Sequence, residues 1–224
     1  SKGSESGKLA QKNPKYFREM VSYVDKIVGK IVAKLEEQKL SEKTMIIFTG
    51  DNGTAVSVTS VMNGRTIKGG KGSTLDTGSH VPFIVSWPGT IESGVSSKAI
   101  VNFSDIFPTI AEVAKTTIDY QIDGISFLSH LKGGKAKRHF SYCWYARNGG
   151  PNGKEFAHTG KWKLYSNGKF YNVYKDVTEK NPIKIDNLND KVRSIRLKLQ
   201  KELDRMKGTR TIFDLSKYPK ADIN

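Results

Sequence analysis

Two short stretches of this 224-residue chain carry residues able to do chemistry. Asp51-Asn52-Gly53 sets a carboxylate beside a carboxamide directly after an apolar run, with a glycine that permits a tight turn. Adjacent hard oxygens of this kind suit Ca²⁺ or Mg²⁺. On its own the tripeptide reads first as a turn, since Asn-Gly is a favoured turn dipeptide. Lys68-Gly69-Gly70-Lys71-Gly72 flanks a lysine with glycines, so that backbone can approach an oxyanion while the ammonium meets it as a point charge. It lacks the Gly-x₄-Gly-Lys-Ser/Thr spacing of a nucleotide P-loop, and in isolation it reads as a solvated loop. Cys143, the single cysteine, sits in Ser-Tyr-Cys-Trp-Tyr and reads as a packed thiol. His130, His139 and His158 have no motif support as catalytic groups.

The elements that must hold these stretches follow from periodicity. Phe17, Met20, Val21, Val24, Ile27, Val28, Ile31, Val32 and Leu35 recur at three- and four-residue steps, which predicts an amphipathic helix ending near Lys39. Thr44–Thr49 (TMIIFT) and Val81–Ser86 (VPFIVS) are continuous apolar runs, expected as strands buried on both faces of a parallel sheet. Between them, 54–80 is a Gly/Ser/Thr-rich loop of a length that compact domains keep for a functional reason. A short strand is expected near Ala99–Val101, then a helix from about Ser104 with Ile106, Phe107, Ile110, Val113 and Ala114 inward. The order is α/β.

Beyond about residue 135 aromatic segments at 139–145, 155–165 and 169–174 are separated by Asn148-Gly149-Gly150 and Ser166-Asn167-Gly168-Lys169, which predicts a small antiparallel sheet. A closing helix buries Val192, Ile195, Leu199, Leu203 and Met206.

Lys plus Arg number 37 against 22 Asp plus Glu, a net charge of +15. Such a balance favours polyanion partners. The basic residues are spread along the chain, with a local excess at 191–210, and no nucleic-acid signature accompanies them. No apolar run reaches the roughly 18 residues of a membrane helix, and one cysteine excludes an internal disulfide framework.

Taken in order, TMIIFTGDNG, GGKGSTLDTGSHVPFIVSWPG, FSDIFPTIAEVAK and IDGISFLSHLKG resemble the sulfatase family of the alkaline-phosphatase superfamily. That family reads strand-S/T-D-N-G, then G-G-K-x₃-x-E-G-G-x-R-V-P-x₄-W-P-G, then D-x-x-P-T, then D-G-x-S-L. AHTGKWKLYSNGKFYNVYKDVTEKNP looks like its C-terminal subdomain, where a basic R-T/x-x-K-y-K strand occurs. Asp76 stands in place of the motif's glutamate and His80 in place of its arginine.

The resemblance implies a partial sulfatase sheet flanked by helices, plus a small antiparallel-sheet subdomain with a closing helix. It divides the chain into a polar tail or severed linker at 1–14, the C-terminal part of a catalytic α/β domain at 15–135, and the subdomain at 136–224. It implies that Asp51 and Asn52 are Ca²⁺ ligands, with Mg²⁺ possible, and that Lys71 contacts the substrate sulfate. Family enzymes hydrolyse sulfate esters through a formylglycine hydrate, whose Cys or Ser precursor lies in C/S-x-P-x-R. That string does not occur among these 224 residues, so the expectation is the C-terminal half of a sulfatase, inactive alone and completed by an N-terminal half. The implied substrate is a sulfated carbohydrate, other glycan or aryl sulfate, and the implied location is periplasmic or extracellular. Rival expectations are a phosphonate or phosphate monoester hydrolase of the same superfamily and a non-catalytic, basic polyanion-binding module.

Overall fold

The computed structural model describes residues 14–62, 64–146 and 153–209. The polar segment 1–14 therefore lies outside the described residues except for Pro14, as do the expected turn at 148–150 and the chain beyond Thr209.

Pro14–Glu37 forms the first helix, α1. Proline suits a first helical position because its missing N–H would have no partner there. The helix is stopped by Lys39, whose φ of +56° turns the backbone left-handed while the Leu40 N–H donates to the Leu35 carbonyl at 2.9 Å. Its apolar stripe finds little cover. Met20, Val21, Val24, Ile27 and Ile31 are all 40–55% exposed.

The two continuous apolar runs become β1 (Ile46–Thr49) and β4 (Phe83–Ser86), which pair antiparallel with Ile46 opposite Ser86 and Thr49 opposite Phe83. The expected parallel sheet buried on both faces is corrected here. The two strands hydrogen-bond only to each other among the described residues, and Ile84 is 59% exposed. Apolar continuity states that both faces need cover, and it says nothing about strand direction.

The expected loop 54–80 contains a hairpin, β2 (Thr59–Met62) with β3 (Arg65–Lys68), and a single helical turn, α2 (Asp76–Ser79). Gly64, at φ +74°, supplies the left-handed residue that a tight hairpin requires. No strand forms at 99–101.

A short 3₁₀ turn, Phe103–Asp105, leads into α3 (Ile106–Val113). Asn102 and Asp105 cap it reciprocally, with Asn102 Oδ1 accepting from Ser104 N–H and Asp105 Oδ2 accepting from Asn102 N–H. The buried face is also corrected. Pro108, Thr109 and Ala111 are buried, whereas Phe107 and Ile110 are about half exposed. The cause is a polar brace. Asp105, 1% exposed, accepts two hydrogen bonds from Arg138 (2.6 and 2.5 Å) and one from the Ile125 N–H, and Thr109 Oγ1 donates to the Asp105 carbonyl and accepts from the Phe127 N–H. These bonds turn the polar side of α3 inward against the 123–127 segment and the short helix α4 (Leu128–Leu131).

The C-terminal sheet matches the expectation. β5 (Ser141–Tyr145), β6 (Lys154–His158), β7 (Trp162–Tyr165) and β8 (Phe170–Asn172) form one antiparallel meander in chain order. The last hairpin is closed by Gly168 at φ +85°, with Asn167 Oδ1 accepting from the Lys169 N–H. Against the sheet lies α5 (Asp190–Thr209). Ala157, Leu164, Phe170, Leu188, Leu199 and Leu203 are the shared core, with Val192 and Ile195 packed beside it. At roughly 25 cal/mol per Å² of apolar surface removed from water, this core is the main stabilising mass of the described chain.

Candidate functional site

Asp51 and Asn52 lie immediately past the end of β1, Asp51 exposed and Asn52 half-buried. The loop that carries Lys71 is laid against this turn by main-chain bonds. The Gly53 N–H donates to the Gly78 carbonyl at 3.0 Å, the Lys71 N–H donates to the Thr54 carbonyl at 3.0 Å, and the Gly69 N–H donates to the Val58 carbonyl at 2.9 Å. The two backbones approach so closely that only glycine fits at the contact. A Cβ on Gly53 would run into the Thr77 carbonyl, and one on Gly70 would run into the Thr77 hydroxyl. Ser73 Oγ donates to the Gly70 carbonyl at 2.6 Å and closes the turn after Lys71. Asp51, Asn52 and Lys71 thus belong to one hydrogen-bonded loop cluster at a strand end.

The donor set tests the cation reading. Two adjacent oxygens from Asp51 and Asn52 have the hard character that Ca²⁺ takes, yet Ca²⁺ normally has six to eight ligands. Among the described residues no group of three or more His, Cys, Asp or Glu converges in a way that could hold a metal. The residues fit part of a shell.

Behind the loop lies a group of side chains to which motif reading gives no role. Asp76, at the start of α2, has Oδ2 3.3 Å from His80 Nδ1 and Oδ1 3.9 Å from His158 Nε2. Burial works to raise the Asp76 carboxyl, but the His80 hydrogen bond and the His80, His158 and Lys163 charges outweigh it and hold it below the ordinary carboxylate value. His80 is raised by the same hydrogen bond, with burial opposing. Burial pushes His158 down to about 4 against the pull of Asp76, and its Nε2 is buried without a hydrogen-bond partner. A clue stood in the sequence: His80 occupies the arginine position of the loop motif, and His158-Thr159 opens the segment whose counterpart begins Arg-Thr.

Deeper still, Lys163 and Glu179 form an ion pair at 2.9 Å with 1% and 3% of their side chains exposed. Tyr165 Oη donates to Glu179 Oε2 at 2.5 Å. Burial lowers the Lys163 ammonium, with Glu179 opposing, and burial together with Glu179 raises the Tyr165 phenol. Cys143 is a half-buried free thiol raised by burial, so it is a poor nucleophile at neutral pH. His130 accepts or donates through Nε2 to Ser97 Oγ at 2.8 Å and contacts the Gly134 carbonyl at 2.9 Å, well away in sequence from the loop cluster. No helix among the described residues is long and apolar enough to cross a membrane.

Comparison with known proteins converges on one family. The Sulfatase family profile matches residues 3–116, and the profile for the N-sulphoglucosamine sulphohydrolase C-terminal region matches 71–209. An arylsulfatase of Hemicentrotus pulcherrimus is 39% identical over 124 residues, covering 54% of this chain and 22% of that protein. The steryl-sulfatase of Homo sapiens is 29% identical over 209 residues, covering 75% of this chain and 36% of that protein. The crystal structure of the PsFucS1 sulfatase from Pseudoalteromonas sp. superposes with a TM-score of 0.68 at 23% identity, covering 92% of this chain and 44% of that one. The chain therefore spans less than half the length of these relatives. The loop cluster at the end of β1, the capped α3 and the C-terminal meander all fall inside the matched residues, and the chain belongs to the sulfatase family.

Proposed function

We propose that this chain is the C-terminal part of a sulfuric ester hydrolase acting on a sulfated carbohydrate or aryl sulfate. In this reading Lys71 binds the sulfate and adds positive charge where charge develops in the transition state. Asp51 and Asn52 would hold part of a Ca²⁺ shell, or of Mg²⁺, and the bound cation would supply further charge at the sulfuryl oxygens. The observation that supports the reading is the backbone docking of the Lys71 loop on Gly53 and Thr54, directly after Asp51 and Asn52.

The remaining half of the site belongs to residues outside this sequence, including the nucleophile. The uncovered stripe of α1 and the exposed Ile84 of β4 suit packing against such an N-terminal half. Following its family, the whole protein works in the periplasm or outside the cell.

The test is turnover by the full-length protein encoded with this chain, set beside the 224-residue chain alone. The expected result is hydrolysis of an aryl sulfate by the full-length protein, none by the chain, and loss of activity in Lys71→Ala. Preference for an aryl phosphate would shift the reading to the phosphomonoesterase branch of the superfamily. Tight binding of sulfated glycan with no turnover by either protein would leave the basic polyanion-binding module.

A further inference from the structure

The C-terminal sheet reaches the Lys71 loop through a buried charge. β7 alternates its side chains. Leu164 points into the core shared with α5, whereas Lys163 and Tyr165 point the other way, to residues 74 and 179. The Lys163 ammonium donates to the Thr74 carbonyl and to Glu179 Oε1, and it lies 3.9 Å from the centroid of the Phe156 ring. Tyr165 Oη lies 3.2 Å from both the Thr74 carbonyl and Thr74 Oγ1. Glu179 holds a φ of +51°, a left-handed backbone that a non-glycine residue seldom adopts, in a turn where Asp176 accepts from the Asn181 N–H at 2.7 Å.

A lysine and a glutamate so deeply buried are a poor way to stabilise a sheet, because apolar residues of similar volume often do as well or better. What the pair offers is direction. The Lys163 ammonium donates to the carbonyl of Thr74, three residues past Lys71 and adjacent to the Ser73 turn, and Tyr165 Oη, whose one proton goes to Glu179, packs against the same residue.

We propose that Lys163, Tyr165 and Glu179 are positioning residues for Lys71. They bolt the Thr74 carbonyl to the C-terminal sheet and thereby keep the loop docked on the Asp51–Thr54 turn. The docking stands on geometry alone. Its consequence for anion binding rests on the reading of Lys71 as the sulfate-binding group.

The test compares the full chain with Tyr165→Phe and with the double variant Lys163→Met/Glu179→Gln, which removes one charge of each sign and leaves the net charge unchanged. Amide hydrogen exchange is read at Lys71 and Gly53, whose N–H groups make the cross-loop bonds, and at Leu164 and Phe170 in the core. Sulfate affinity is read by titrating inorganic sulfate into the full-length protein with and without the same substitutions. The double variant is expected to keep core protection while the Lys71 and Gly53 amides exchange at least tenfold faster and sulfate binds at least tenfold more weakly. Tyr165→Phe should speed loop exchange about threefold, and it decides the matter if the double variant does not fold. Wild-type exchange at Lys71 and Gly53 in a folded variant overturns the proposal. A full-length wild-type protein that binds no sulfate would sink the reading of Lys71, while the exchange data still judge the positioning.

Discussion

The two long helices carry the same kind of apolar stripe and meet opposite fates. In α5, Leu199 and Leu203 are at most 3% exposed against the four-stranded meander. In α1, Met20, Val21, Val24, Ile27 and Ile31 stand 40–55% exposed. Helical periodicity marks the face that needs cover, and it is silent on whether the cover lies in the same stretch of chain. The C-terminal region closes a core of its own from local hairpins and one returning helix. The N-terminal region is held by polar devices: the glycine contacts of the loop cluster and the Asp105–Arg138 brace.

This contrast can be broken by experiment, starting with the brace. Arg138→Met removes the cation that faces a carboxylate 1% exposed. Breaking a buried pair by removing one partner costs about 3–5 kcal/mol, and that loss is expected in chemical denaturation, with α3 and the 123–127 segment loosened first. A drop below about 1 kcal/mol would mean that α3 is not held by Asp105.

Leu199→Ala should cost about 3 kcal/mol, since a fully buried leucine is replaced in a closed core. The matched change in α1, Ile27→Ala, should shift stability by no more than about 0.5 kcal/mol, as for an exposed site. Equal effects at the two positions would erase the distinction between the helices. Once the full-length protein is in hand, Ile27→Ala should become as costly as a core substitution.

Acidity tests the region where the two halves meet. His158 titrates at about 4 in the folded chain against an ordinary value of 6.5. Between those values the unfolded chain binds a proton that the folded chain refuses, so stability falls as pH drops through this window. The full shift corresponds to on the order of 3 kcal/mol. His80 works the other way, because its raised value favours the folded chain when protonated and that contribution is lost as pH rises. Asp76 adds a further loss below its ordinary 3.8. Denaturation between pH 7 and pH 4 should show the decline, and His158→Gln should flatten it. An unchanged slope in that variant would remove His158 as the cause.

The smallest expected effect belongs to Trp144→Tyr on β5, at or below about 0.5 kcal/mol, because the ring is 38% exposed at the edge of the meander. A larger thermal shift would show that this edge carries more of the core than its exposure suggests.

Much of this was legible in the residues, for a physical reason that also sets the limit. The β7–β8 hairpin was written in Asn167-Gly168, and the α5 stripe in its spacing, because both are local. The hairpin within 59–68 is written the same way, in the Asn63-Gly64 dipeptide, although the Gly/Ser/Thr-rich composition of 54–80 reads as loop. Strand direction, the inward face of α3 and the burial of Lys163 were not legible. They depend on partners 16 to 91 residues away, such as Glu179 for Lys163, Phe127 for Thr109 and Thr74 for Tyr165. Asp51, Asn52 and Lys71 could be named because they stand in short strings. Glu179 and Tyr165 also lie in a quoted string, at 157–182, but that string gives them no role, and only the fold brings them beside the loop.

The buried Lys163 also bears on where the molecule can be divided. Composition changes near residue 135, and a designer would cut there to make the meander and α5 a portable unit. Such a cut strips the Thr74 carbonyl from one face of β7 and leaves Lys163 and Tyr165 lining an open surface. The residues that clothe that face come from far earlier in the chain. A graft of this sheet into another protein must carry a copy of the 69–80 loop, or replace the charged pair with an apolar one before it is moved.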